Sequence, residues 1–337
     1  MKTALITGIS GQDGYFLTTL LLQKGYVVHG IVRRNSQASI GTLRYVDDTD
    51  RARVQIHWGD VTDHVFIERL FREHDFDEVY HLAAQSFVGL SFDNPKLTYD
   101  VNIGGTLNVV NAVKEFRPKA KMYFAATSEM FGKVHETPQT EETPFHPRSP
   151  YGISKLAGFW TMKNYREAYN LFFVNGILFN HESEHRGEEF VTKKVSKAVA
   201  RISKGSDEVL MVGNLDAKRD WGYAGEYVEG MWRMMQQTEP DDYVLATGTT
   251  HSVREFIESA FRCVNMPITW SGNNLEEVAF TADGRVVVRI DPTFFRPSEV
   301  DVLIGDPSKA ERVLGWKARM RFDELVRVMV EHELATV

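Results

Sequence analysis

A short apolar run at residues 4–7 leads directly into three glycines spaced three apart, Gly8, Gly11 and Gly14, and then into a segment of helical period at 16–24. A chain turns that sharply from strand to helix only where side chains are absent, because glycine alone enters the needed backbone conformations without cost. The unit then repeats. Apolar runs at 27–32, 54–58, 78–82, 122–126 and 172–178 are interleaved with helical periods at 64–73, 97–116 and 151–169. The runs are continuous rather than alternating, as in strands buried on both faces of a parallel sheet. This order predicts an α/β fold built on a doubly wound parallel sheet of the Rossmann type.

Beyond about residue 180 the rhythm loosens. Helical stretches at 191–204, 227–237, 253–264 and 322–334 are separated by turn-rich segments, and Asp283-Gly284 marks a hairpin within 280–290. The 337 residues suit two units at ~150 residues each. The expected division is a dinucleotide-binding domain at 1–180, to which later segments can return, and a smaller, mostly helical substrate lobe at 181–337.

Composition narrows the partners. Lys and Arg number 39 against 46 Asp and Glu, a net charge of −7, which argues against nucleic acid or an anionic membrane as the main partner. No apolar run approaches the ~20 residues of a membrane span. The single cysteine, Cys263, excludes an internal disulfide framework and any multi-cysteine metal site; no metal is expected. The amino terminus reaches turn glycines too early for a signal peptide, so a cytoplasmic location is the expectation.

Three local patterns carry chemistry. The first is the GxxGxxG turn itself, whose geometry admits a pyrophosphate at a helix start, although a glycine-rich turn can also be only a turn. The second is the end of the second strand. Sites for NAD carry an acid there, whereas this chain has Arg33 and Arg34. Arginine pairs bidentately with phosphate, which favours NADP; two solvated surface arginines are the alternative. Asp60, after the third strand, suits an adenine-side contact or a helix cap. The third pattern is Tyr151 and Lys155, four apart on one helical face after Pro150. An ammonium beside a phenol lowers its pKa and makes tyrosinate available as a general base. One strand earlier Thr127, Ser128 and Glu129 follow the 122–126 run, at the strand end where open α/β sheets place their ligands.

These residues, together with GIVRRNS (30–36), HLAAQSFV (81–88), FNHES (179–183), RGEEFVTKK (186–194), DAKRDWGYAG (216–225) and RPSEVD (296–301), resemble the extended short-chain dehydrogenase/reductases. More narrowly they resemble the GDP-mannose 4,6-dehydratase family, nearly end to end. The resemblance implies a cofactor site formed by Gly8, Gly11, Gln12, Asp13 and Gly14, with Arg33, Asp60, Val61, Leu82, Ala83, Ala84 and Ser86. Tyr151 is then the base and Lys155 its partner on the nicotinamide ribose, with His181 and Arg186 on the cofactor side. Thr127 and Glu129 match the dehydratase pair. Asn180, Lys194, Arg219, Arg296 and Glu299, with Ser86, are implied for the GDP-linked sugar. The polar segment from Arg33 to Arg51 is implied to reach a neighbouring subunit, in a homo-oligomer that is a tetramer rather than a dimer.

Three places depart from the family's usual pattern: Glu184 stands where proline is usual, residues 97–106 follow the broader superfamily, and Tyr15-Phe16 is bulky. They leave the sugar open between GDP-mannose and a GDP-linked manno-heptose. The expected reaction is a 4,6-dehydration by internal hydride transfer from C4 to C6 with loss of water. A 4-epimerase or reductase would keep Tyr151 and Lys155 without needing Glu129. A dinucleotide-sensing protein would need neither residue of the YxxxK pair.

Overall fold

The computed structural model describes residues 1–34, 40–295, 300 and 302–337. Its centre is a seven-stranded sheet with every neighbouring pair parallel. Six strands come from before residue 180: β1 (Thr3–Thr7), β2 (Val27–Val32), β3 (Val54–Trp58), β4 (Glu78–His81), β5 (Lys121–Thr127) and β6 (Phe173–Leu178). From one edge to the other they lie in the order β6, β5, β4, β1, β2, β3. The chain runs outward from β1 to β3, then crosses back over β1 to β4. That reversal leaves a crevice beyond the carboxyl ends of β1 and β4.

The seventh strand, Asp242–Leu245, pairs with β6 and comes from beyond residue 180. The sequence reading did not anticipate it, because an aspartate and three apolar residues after a turn carry no period of their own.

The continuous apolar runs are explained by packing on both faces. In β1, Leu5 joins one core cluster while Ala4 and Ile6 join the other, as the two-residue side-chain repeat requires. On the second face lies α1 (Gln12–Gln23), which buries Leu17, Leu21 and Leu22. A third cluster, including Val199, Phe256, Val288 and Met329, fills the C-terminal part. There the hairpin of Val278–Thr281 and Val286–Ile290 forms where Asp283-Gly284 predicts it.

The helix expected at 97–116 is not one regular element. It is Pro95–Tyr99, a widened turn over Asp100–Gly105, and Thr106–Phe116. The widening serves a buried polar contact. Asn102 accepts from the Gln85 backbone N–H at 2.8 Å and donates to Ser154 Oγ at 2.9 Å, which ties this helix to Pro150–Tyr169. The polar segment after β2, read as lacking period, contains the turn Gly41–Tyr45 and the short helix Asp48–Arg51. No helix among the described residues is long and apolar enough to cross a membrane.

Candidate active site

The crevice at the carboxyl ends of the sheet opens into a cavity of about 940 Å³. One wall is the strand–turn–helix unit at the amino terminus. Gly8 has φ +74°, and a Cβ there would sit 2.8 Å from the Ala83 backbone nitrogen. A Cβ on Gly14 would run into the Ile9 carbonyl. The helix starts with Gly11 at its N-cap and, among the described residues, no side-chain capping bond; its first residues Gln12, Asp13 and Gly14 line the cavity. A bare helix N-terminus behind a close-packed glycine turn fits a pyrophosphate. Thr42 closes over this turn, donating from Oγ1 to the Gly11 carbonyl at 2.6 Å.

The opposite wall carries Thr127, Glu129, Tyr151 and Lys155, all buried and all lining the cavity. Their placement follows from local structure. Thr127 ends β5 and caps a short turn, accepting from the Glu129 backbone N–H at 3.2 Å. The helix Pro150–Tyr169 begins with Ser149 as its N-cap and proline in its first turn, a start that fixes the entry geometry. Tyr151 therefore stands in the first turn and Lys155 one turn later.

The electrostatics differ from the expectation in one respect. Lys155 does not lower the Tyr151 phenol. Burial dominates and pushes Tyr151 up to about 12, with a hydrogen bond from Thr127 opposing it and the Glu129 charge adding to it. The lysine ammonium donates to the Ala125 carbonyl at 2.8 Å and lies 6.0 Å from the tyrosine ring centre. Burial brings Lys155 itself down to about 8, partly offset by the Asp13 charge.

Between the two walls is a charged pair. His181 Nε2 lies 2.9 Å from Asp13 Oδ2 while its Nδ1 lies 2.8 Å from the Phe179 carbonyl. Burial opposes the charge on both, yet each partner's charge wins, so Asp13 is held below its ordinary value and His181 above its own. Gln12 braces the pair through Asp13 Oδ1 at 3.1 Å and the His181 carbonyl at 3.1 Å. Arg186 is paired with Glu182 at 3.0 Å and stacks over Phe190.

Residues 5–329 match the family model described as GDP-mannose 4,6 dehydratase. The chain belongs to the GDP-mannose 4,6-dehydratase family. It is 51% identical over 340 residues to the GDP-mannose 4,6 dehydratase of Homo sapiens, spanning 99% of this chain and 91% of that one. To the GDP-mannose 4,6-dehydratase of Sinorhizobium fredii it is 48% identical, with 99% and 97% covered. Among solved structures, the Thermus thermophilus UDP-glucose 4-epimerase complex with NAD superposes with a TM-score of 0.82 at 26% identity, over 99% of this chain and 100% of that one. The GDP-mannose 4,6-dehydratase family match over residues 5–329 is thus carried on the extended short-chain dehydrogenase/reductase fold.

The structure brings most of the expected residues to the one cavity. Gly8, Gly11, Gln12, Asp13 and Gly14 line it, as do Leu82, Ala84 and Ser86; Asn180, His181, Arg186, Lys194 and Arg219 close it on the side of the C-terminal lobe. Arg219 is buried and held by the Lys218 and Val300 carbonyls at 2.8 and 2.9 Å. Lys194 stacks over Phe294, 3.4 Å from its ring centre.

Four residues stand back from this cavity. Arg33 is exposed at the end of β2. Asp60 accepts from its own turn, at Thr62 N and Oγ1, 2.9 and 2.8 Å away. Val61 supports that turn by accepting from Asn108 at 2.9 Å. Ala83 hydrogen-bonds to Thr7 Oγ1 at 3.1 Å and packs against Gly8. Arg296 and Glu299 lie outside the described residues, as does the 35–39 part of the segment expected to reach a neighbouring subunit; its described remainder includes Thr42, which closes on Ser10 and Gly11.

Sequence reasoning missed Asn102, Ser154 and Thr42. The asparagine between Val101 and Ile103, just before Gly104-Gly105, was the signal for the first.

Proposed function

We propose that the chain is a GDP-sugar 4,6-dehydratase that converts GDP-mannose to GDP-4-keto-6-deoxy-mannose with loss of water. The observation that carries this reading is Glu129 beside Thr127 at the end of β5, on the same cavity wall as Tyr151 and Lys155. An epimerase or reductase on this fold has no use for that carboxylate. Family membership over the full chain favours the hexose over a heptose.

Solved structures of the fold contain NAD, as in the epimerase complex above, and the glycine cradle at the start of α1 fits a dinucleotide. When bound, the nicotinamide supplies acceptance and return of one hydride, along with positive charge in its oxidised form. Arg33 and Arg34, exposed at the end of β2 where an acid would mark NAD, support NADP. Asp60 and Val61 form the turn on the adenine side, while Leu82, Ala84 and Ser86 line the wall beyond β4.

Tyr151 takes the proton of the sugar O4–H, with Thr127 hydrogen-bonding O4 and Lys155 holding the ribose. The 4-ketone then acidifies the C5–H. Glu129 takes that proton and hands it to the departing C6 hydroxyl, which leaves as water. The hydride that C4 gives up is the one C6 regains, so no net redox equivalent is consumed, and the proton that Tyr151 took from O4 balances the one C5 regains. Positioning contributes most of the gain for such a sequence of transfers on one bound sugar. Asn180, Lys194 and Arg219, with Arg296 and Glu299, are the proposed contacts of the GDP-sugar, and His181 and Arg186 flank the cofactor side.

The proposal includes a homo-oligomer, a tetramer over a dimer. Its support is apolar side chains left in solvent on neighbouring helices, Ile153 and Trp160 on one and Leu97 and Leu107 on the others, 36–52% exposed. The division at residue 180 and a cytoplasmic location, consistent with one half-buried cysteine, complete it. Mass spectrometry of incubations with GDP-mannose and with GDP-manno-heptose tests the reading. The expected product has lost one water from the mannose compound with no net change in NADPH. A product of unchanged mass, or one reduced at the expense of NADPH, overturns it.

A further inference from the structure

Three histidines converge on the far side of the nucleotide half of the sheet. His29 is on β2, His57 on β3, and His74 follows the helix His64–Glu73 as its C-cap. Register sets the first two. His29 pairs with Gln55 and Ile31 with His57, so the two imidazoles sit two positions apart on one face. The helix His64–Glu73 covers that face, with Ile67 and Leu70 in the same core cluster as Ile31, and delivers His74 to the pair.

One donor nitrogen from each ring lies within 4.8 Å of the other two. The His74 ring centre is 4.9 Å from that of His29 and 4.9 Å from that of His57. His29 is 4% exposed and the other two are half-buried. Among the described residues these rings share one hydrogen bond, His29 Nδ1 to His57 Nε2 at 2.9 Å. Three polar rings thus gather, largely out of water, for a single hydrogen bond between them, a poor return for their desolvation.

We propose that His29, His57 and His74 bind one divalent first-row transition-metal ion, of which zinc is the expected occupant. Neutral imidazole nitrogens select zinc, copper, nickel or cobalt and disfavour magnesium and calcium, which take oxygen. Zinc–nitrogen bonds of about 2.0–2.1 Å in a tetrahedron put donors about 3.3 Å apart. The present spacing reaches that by small ring rotations. Three ligands leave a fourth position for water, and the neighbouring Glu73 carboxylate adds negative charge on the His57 side. The third ligand is held from behind: Arg117 donates from Nε and Nη2 to the His74 carbonyl at 3.0 and 2.9 Å.

None of the three lines the active-site cavity, so the ion has a structural role. Among the described residues β3 is an edge strand, paired only with β2. A metal shared by β2, β3 and the end of the covering helix pins that edge, which a strand with one free side otherwise lacks. Sequence spacing gives no sign of the site, since the residues are separated by a whole strand–helix unit.

The test uses the full chain without an affinity tag, stripped with a chelator and titrated with Co²⁺. The expected result is one cobalt per chain with the visible absorption of tetrahedral nitrogen-ligated cobalt, displaced by Zn²⁺, and a melting temperature that rises with added Zn²⁺. His74→Ala, outside the sheet, should keep the metal-free circular dichroism and melting temperature of the parent and weaken cobalt binding by at least about tenfold. His57→Gln, which keeps a hydrogen-bonding group toward His29, should show the same loss and decides the matter if the alanine variant misfolds. Absence of tetrahedral cobalt absorption in excess Co²⁺ overturns the proposal, as does unchanged affinity in the variants.

Discussion

Asp13→Asn removes a charge from the head of α1 while keeping size and an oxygen acceptor, and the hydrogen-bond geometry dictates how its effect must depend on pH. His181 Nδ1 lies 2.8 Å from the Phe179 carbonyl, which can only accept, so Nδ1 keeps its proton. Nε2, 2.9 Å from the Asp13 carboxylate, can donate only in the imidazolium form. Burial disfavours both charges, but the pair's mutual attraction raises His181 above 6.5 and holds Asp13 below 3.8. The aspartate's contribution is present above 3.8 and lost as pH falls through its lower folded value. The histidine's is fully present below 6.5 and lost as pH rises through its higher folded value. The pair therefore stabilises most in the mildly acidic range.

With the two side chains 21% and 11% exposed, a charged hydrogen bond of this kind is worth about 2 kcal/mol. Unfolding entropy of about 2.1 cal/mol/K per residue gives about 0.7 kcal/mol/K for a chain of this length, so the substitution should lower Tm by about 3 °C near pH 5.5. Once pH has risen through the higher folded value of His181 and its ring is neutral, the asparagine amide can donate to the bare Nε2, and the loss should fall below about 1 °C. Thermal unfolding of both chains followed by circular dichroism below and above that value measures this. Equal losses, or a larger loss at the higher pH, refute the charged-pair argument.

Arg33→Ala should weaken NADP by about 1.5–3 kcal/mol, the worth of an arginine–phosphate contact, and NAD by much less; cofactor titration with equal effects on both removes the 2′-phosphate assignment. Tyr151→Phe keeps the buried ring and deletes the base, so turnover should drop by about 10²–10⁴-fold with no transient nicotinamide absorbance on mixing with substrate. Gly14→Ala places a methyl against the Ile9 backbone and should cost about 1–3 kcal/mol of stability by denaturant unfolding, despite alanine's better helix propensity; an unchanged midpoint contradicts the close-packing account.

The sheet was legible because its strands, the edge strand β3 excepted, are buried on both faces. Continuous runs such as 27–32 and 122–126 have no other home in a soluble core, and all six from before residue 180 became neighbours. Asp242–Leu245 escaped notice because it borrows its partner, β6, from a distant part of the chain. The positions that gather on one cavity wall were readable from local spacing, Tyr151 and Lys155 on one helical face and Thr127 and Glu129 at a strand end. Their electrostatics were not. The expectation that Lys155 depresses Tyr151 rested on proximity along a helix, whereas burial is the largest influence on the phenol in three dimensions. Asn102 shows the same limit: its side chain bridges Gln85 and Ser154, positions that only the fold brings together. Convergence of His29, His57 and His74 likewise depends on strand register and on where the covering helix ends.

The central claim is that Glu129 is the base at C5 of the sugar, and exchange of that proton tests it most directly. With GDP-mannose, NADP and enzyme in heavy water, the unaltered chain should place deuterium at C5 of the product. Glu129→Gln keeps the size of the side chain and removes the proton acceptor. It should still oxidise C4 and leave a 4-keto sugar that retains its C6 hydroxyl, while incorporating deuterium at C5 at a rate lower by about 10²–10⁴-fold, the usual cost of losing a general base. Exchange at C5 as fast as in the unaltered enzyme would contradict the account.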